Sequence, residues 1–191
     1  MRGCISINTV VTSKEAILNV SRELVTTRGW AALNIRTVAA ACGVSVGSIY
    51  NYFSSKSDLV AAAVESVWHD ILRFPENDSG FDSFTSCIQW IFDSMKTGRE
   101  KYPGFFTAHF MSFLGEDKES GRQLMEQTWK RIQDGLYMVL MNDKNVRPQV
   151  FDEIFTPEKF VSIIFSLIIS ALARQDYDCG GILGMISRII Y

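Results

Sequence analysis

The side chains best placed for recognition chemistry lie between Asn34 and Phe53, a stretch that reads N-I-R-T-V-A-A-A-C-G-V-S-V-G-S-I-Y-N-Y-F. Two short helical patterns, Ile35 to Cys42 and Val46 to Tyr52, flank a tight turn at Gly43. That is the layout of a helix-turn-helix, whose second helix can enter a DNA major groove. Ala39 and Ala40 are small where two helices must cross, and Gly43 can take the left-handed backbone that the turn requires. Val44 and Ile49 can pin the second helix to the first. The face left over holds Ser45, Gly47, Ser48, Tyr50, Asn51 and Tyr52, which are small or hydrogen-bonding and never acidic. Arg36 precedes this face and Lys56 follows it, both suited to an anionic partner. A plainer reading makes Arg36 a solvated helix residue. Tyr50 and Tyr52 cannot both point inward on one short helix, so at least one is expected to be exposed. Phe53 and Cys42 read as packing residues.

The charge of the whole chain argues the other way at first. With 19 Lys and Arg against 21 Asp and Glu, the formal net charge is −2 over 191 residues, an unpromising value for binding a polyanion. Its distribution reverses that inference. Residues 1–56 hold six basic side chains and two acidic ones, a formal +4, whereas residues 57–191 hold thirteen basic and nineteen acidic, a formal −6. A basic head on an acidic body is the electrostatic footprint of phosphate binding confined to one end.

Other chemistries find little support. Cys4, Cys42, Cys87 and Cys179 form no C-x-x-C pair and have no close His, so neither a metal nor a cofactor is expected. Their wide spacing reads as free thiols in a reducing compartment. No paired carboxylates, Ser/His/Asp set or phosphate-cradling glycine loop is visible, so an enzyme is not expected. The first eleven residues lack the apolar core of a signal peptide. The longest apolar run, Phe160 to Ala173, has fourteen residues, fewer than the ~20 a membrane-spanning helix needs. A soluble, cytoplasmic protein without membrane association is the expectation.

The elements that must position the recognition residues are helical throughout. A capping-box spacing at Thr12 and Glu15 starts the first helix, with Ile17, Val20, Leu24 and Val25 on its inner face and Gly29 at its end. Asn34 and Ser45 are placed to cap the next two, and Ser54 to Ser57 open a fourth that ends near Phe74-Pro75. Val60, Val64, Val67, Trp68 and Ile71 mark its inner face, while His69 reads as solvated. Further helices are expected at about Phe81 to Lys96, Pro103 to Leu114, Lys118 to Met141, Pro157 to Arg174 and Cys179 to Ile190. The expected architecture is all-α with about nine helices. It divides into a helix-turn-helix DNA-binding domain over residues 1–56 and a helical ligand-binding and dimerisation domain over residues 57–191.

The body is rich in aromatic side chains and methionine. Trp68, Trp90, Phe106, His109, Phe110, Met125, Trp129 and Phe165 lie on neighbouring helical stripes and suit a cavity for an apolar or amphipathic small molecule. Such stripes also serve as plain core. The last two helices are apolar on nearly every side, so a second subunit is expected to cover what the body does not.

Residues 12 to 60 resemble the DNA-binding domain of the TetR/AcrR family of bacterial regulators. The resemblance rests on Ala16-Ile17-Leu18, Gly29-Trp30, Ile35-Arg36-Thr37-Val38-Ala39, Gly43-Val44-Ser45, Ile49 to Phe53, Lys56 and Leu59. It implies a homodimer formed through the last two helices, bound to a palindromic operator in double-stranded DNA, most simply as a repressor that a small-molecule effector releases. It implies that Arg36 reads a base edge, that Ser48, Tyr50 and Tyr52 touch phosphate or base, and that Lys56 pairs with a phosphate. Val46-Gly47 departs from the family pattern, because position 46 carries no basic residue. The competing readings are a helix-turn-helix adaptor that binds a protein and senses no ligand, and a helical enzyme.

Overall fold

The computed structural model describes residues 12–73, 80–106 and 118–191, the side chains of 118–125 apart. All regular structure among these residues is helical: α1 Lys14–Arg28, a 3-10 turn Trp30–Ala32, α2 Ile35–Cys42, α3 Val46–Tyr50, α4 Lys56–Ile71, α5 Phe84–Lys101, α6 Lys118–Asn142, α7 Pro157–Arg174 and α8 Gly180–Ile190. The chain forms two compact units, Met1–Ser66 and Val67–Tyr191, and their boundary falls within α4.

In the first unit each helix starts where a side chain satisfies an otherwise unpaired backbone N–H. Ser13 Oγ accepts from the Ala16 N–H at 3.1 Å, so α1 is capped by Ser13 and not by the expected Thr12–Glu15 pair. Asn34 Oδ1 accepts from Thr37 N–H at 3.0 Å and Ser45 Oγ from Ser48 N–H at 3.1 Å. Caps of this kind contribute about 0.5–2 kcal/mol each. At the start of α4, Asp58 N–H donates to Ser55 Oγ while the Asp58 carboxylate accepts from Ser54 N–H. Gly43 sits at φ 67°, ψ 27°, and the backbone bonds Gly43 N–H to Ala40 O and Val44 N–H to Ala39 O close α2. A side chain at 43 would strain that left-handed turn.

Ile17, Leu24, Val25, Val38, Ala39, Ile49, Phe53 and Leu59 are buried at the centre of this unit. Three details differ from the sequence reading. Val20 is only half-buried; the neighbouring Ser21 takes the inward place and donates its hydroxyl to Ile17 O. Ala40 is exposed, so Ala39 alone provides the small contact. Regular α3 stops at Tyr50, and Asn51 and Tyr52 continue it as a turn.

In the second unit α5 buries Phe84, Cys87, Ile88, Ile91, Phe92, Met95 and Gly98. It begins three residues later than expected, because Ser83 and Ser86 form a reciprocal capping box. It also runs past the expected end at Lys96, through Gly98, to Lys101. A Cβ at Gly98 would lie 2.8 Å from Ile71 Cγ1, so the missing side chain lets the last turn of α4 sit directly on α5. That turn is also held by Asp70, which accepts from Lys101 Nζ and Tyr102 OH at 2.7 Å each. α4 ends at Ile71, before Phe74 and Pro75, which lie outside the described residues. Residues 103–106 form a turn where a helix from Pro103 to Leu114 was expected, and the rest of that segment lies outside the described residues. α6 packs on α7, and α5 on both α6 and α8. Phe84, Phe151, Phe155 and Phe160 form one aromatic cluster with ring centroids 5.7–5.8 Å apart. Asp143 accepts from Phe84 N–H at 2.8 Å and from the Tyr191 hydroxyl, joining the ends of three helices.

Candidate nucleic-acid interface

The short helix α3 owes its position to two residues that point inward. Ile49 and Phe53 are 0% and 1% exposed, and Lys14 Nζ lies 5.7 Å from the Phe53 ring centroid, a contact in which the ring face attracts the ammonium. With that side fixed, the opposite face is presented outward. Val46, Gly47, Tyr50, Asn51 and Tyr52 are exposed, with Tyr50 at 52% and Tyr52 at 39%, so both tyrosines face out.

Seven of the eight expected contact residues fall into two groups. Arg36, Tyr50, Asn51 and Lys56 are exposed, and their side chains make no hydrogen bond or ion pair among the described residues. Ser45, Ser48 and Tyr52 have internal partners. Ser45 Oγ lies 2.9 Å from Ser48 Oγ and caps α3, while the Tyr52 hydroxyl donates to the carbonyl of Thr12. That bond ties the end of α3 to the entry of α1, a link across 40 residues of chain that no local pattern announces. Gly47 adds no side chain to the face.

The electrostatics of the surface are simple. From Leu24 to Ser57 the chain has no carboxylate, while Arg28, Arg36 and Lys56 are all exposed. Over the whole first unit, residues 1–66, Asp58 and Glu65 bring the balance to six basic against four acidic side chains. Asp58 is engaged in capping α4, so the cationic character is strongest on α2, the turn and α3. Cys42, half-buried at the end of α2, has its thiol pKa raised by burial and offers no reactive thiolate. Burial likewise pushes Cys87 up to about 12.

The described residues expected to line a ligand cavity each take part in ring contacts. Trp68 meets Phe105 and Phe106 edge-on, with centroids 5.1 and 5.5 Å apart. Trp129 pairs with Phe165 at 6.0 Å, and half-buried Trp90 pairs with Phe81 at 5.4 Å. His109 and Phe110 lie outside the described residues, as does the side chain of Met125. A cavity of about 290 Å³ opens beside Phe106, lined also by Arg99, Pro103, Gly104, Gln175 and Tyr177. The Arg99 guanidinium lies 5.3 Å from the Tyr177 ring centroid. Burial raises the Tyr177 hydroxyl pKa, against the lowering influence of Arg99. Arg99 was missed in the sequence because only the fold brings it to Tyr177. No group of His, Cys, Asp and Glu among the described residues could hold a metal, and no described helix is long and apolar enough to cross a membrane.

Known proteins match this arrangement. Residues 17–63 fit the model of bacterial regulatory proteins of the tetR family. Over 52 residues the chain is 40% identical to the uncharacterized HTH-type transcriptional regulator YerO of Bacillus subtilis, a match that spans 27% of this chain and 18% of that protein. It is 24% identical over 165 residues to the HTH-type transcriptional repressor KstR2 of Mycolicibacterium smegmatis, covering 81% of this chain and 73% of the repressor. The fold is shared with the multidrug binding protein EbrR, solved with imidazole, at a TM-score of 0.59 and 18% identity over 92% of this chain and 93% of that one. The match to the tetR family of bacterial regulatory proteins thus covers residues 17–63, within the first unit, and the helical fold is shared with EbrR along most of the chain.

Proposed function

We propose that the chain is a cytoplasmic, sequence-specific DNA-binding transcriptional regulator, a repressor that a small apolar or amphipathic ligand releases. The observation that carries this reading is the outward face of α3, held from behind by Ile49 and Phe53 and set in a stretch without a carboxylate from Leu24 to Ser57. Phosphate contacts would fix the register of such a face on the duplex, and contacts to base edges would supply the specificity. Arg36 is the candidate for guanine, whose two major-groove acceptors suit a guanidinium. Lys56 is the candidate for a phosphate.

A homodimer accounts for the outer surface of the last two helices. Ile163 on α7 is 48% exposed, and Leu167, Ile169, Ile182, Leu183, Met185 and Ile189 remain only half-buried in the single chain. A two-fold pair would set two α3 helices about 34–36 Å apart and therefore read a palindrome. For the ligand, the cavity beside Phe106 pairs an aromatic wall with the Arg99 guanidinium, which favours an amphipathic molecule with an acidic group. Trp68 Nε1, buried and without an acceptor among the described residues, offers a further donor. Release follows if the ligand binds one arrangement of α4 more tightly than the other, since only differential affinity shifts a population.

Selection of bound duplexes from a random pool, followed by gel shift across a salt series, tests the reading. A palindromic consensus with salt-dependent binding is the expected result. No enrichment of any sequence would overturn it and favour a protein-binding adaptor.

A further inference from the structure

The exposed large apolar side chains of the first unit, among its described residues, are Val46, Tyr50 and Tyr52, all on α3 or the turn that ends it. Val46 is 40% exposed, although every other valine described in that unit is at least half-buried. It lies four residues before Tyr50, hence on the same side of the helix. Position 46 is also where this chain lacks the cation that its family resemblance led us to expect.

Its neighbour Gly47 has no internal reason to be glycine. Its φ lies outside the left-handed range, and a Cβ there would meet only Ser45 Oγ, at an ordinary 3.7 Å. Glycine in a helix is nonetheless unfavourable relative to alanine. The bare backbone beside Val46 therefore makes sense as room for something that approaches from outside. The surroundings are cationic and free of carboxylate, so that partner is a polyanion. A duplex major groove presents one apolar feature to such a side chain, the C5 methyl group of thymine. Valine suits this contact because its branched Cβ leaves essentially one side-chain rotamer in a helix, so little freedom is lost on docking.

We infer that Val46 is a specificity-determining residue that reads a thymine methyl group in the major groove, with Gly47 leaving the backbone close to the bases. The inference rests on the DNA-binding reading above. The test uses the full chain and the duplex it selects from a random pool, with each thymine replaced in turn by deoxyuracil, which removes only the methyl group. One position per half-site should lose affinity by about fourfold, the worth of one buried methyl. Val46→Ala should bind the unmodified duplex more weakly and lose its sensitivity to uracil at that position alone. Because Val46 is exposed, the melting temperature of Val46→Ala should match the parent, which separates a lost contact from a lost fold. A flat uracil scan on a duplex that binds would overturn the role of Val46 and leave the regulator reading intact. So would a Val46→Ala protein that keeps the full uracil effect. Failure to select any duplex would overturn both.

Discussion

In the first unit, α2 and α3 have eight and five residues, and each begins under the side chain that immediately precedes it. In the second unit, α6 and α7 run for 25 and 18 residues, and their burial is completed by partners far away in sequence. The Phe84 ring, for example, packs on Phe160, and its N–H reaches Asp143. The short helices cannot be stable alone, since nucleating a helix is costly and few residues repay it. Caps and a tight shared core compensate, and both use residues within reach of local sequence. The long helices rely on apolar faces that could pair in several ways, and only the fold chooses among them.

Core truncation in each unit gives the largest expected effect. Phe160→Ala should cost about 3–5 kcal/mol, and Ile49→Ala about 2–5 kcal/mol, in urea unfolding. A much smaller loss for Ile49→Ala would show that α3 can collapse onto the space left behind, and that its rigidity is not set by this contact. Next comes the polar tie of the second unit. Burial pushes the Asp143 pKa upward, but bonds from the Tyr191 hydroxyl, Phe84 N–H and Asn145 outweigh it, and the net shift is downward. The folded state thus holds this carboxyl more acidic than the unfolded chain, whose value is about 3.9. Its contribution to stability is complete above that value and is lost as pH falls through the folded one. Asp143→Asn should cost about 1–3 kcal/mol at pH 7, and its melting temperature should fall less than the parent's between pH 5 and pH 3. Equal slopes would remove Asp143 from the account.

Smaller effects belong to the outward face of the first unit and should spare stability. Arg36→Ala should lose about 1–3 kcal/mol of DNA affinity at one base pair. Lys56→Ala should weaken every sequence equally and reduce the salt slope by about one. Matching behaviour of the two in a gel-shift series would refute their separate assignments. At the small end, Gly47→Ala should raise stability by about 0.5–1 kcal/mol in thermal unfolding while weakening DNA binding. Unchanged DNA affinity would mean that nothing approaches the backbone there.

The same contrast explains what the sequence disclosed. Asn34, Gly43, Ser45, Ile49 and Phe53 were legible because each acts within a few residues of its own position. The start of α1 shows the limit of such rules: Thr12 and Glu15 have the capping-box spacing, but the adjacent Ser13 is the cap and accepts from the Ala16 N–H instead. The tie between Tyr52 and Thr12 and the approach of Arg99 to Tyr177 stayed hidden, because each joins distant parts of the chain. The end of α5 was placed too early, at Lys96, for a related reason. A glycine in a helical pattern signals an end by local rules, whereas here it is demanded by Ile71 from another helix.

That demand makes position 98 a measure of mechanical tolerance. Where two helices meet through ordinary side chains, a small displacement is absorbed by rotamers. At Gly98 no side chain remains to yield, and Ile71 is pressed against the backbone itself. A single added methyl would work as a wedge between the last turn of α4 and α5, so within the second unit these two helices meet at a contact with almost no slack.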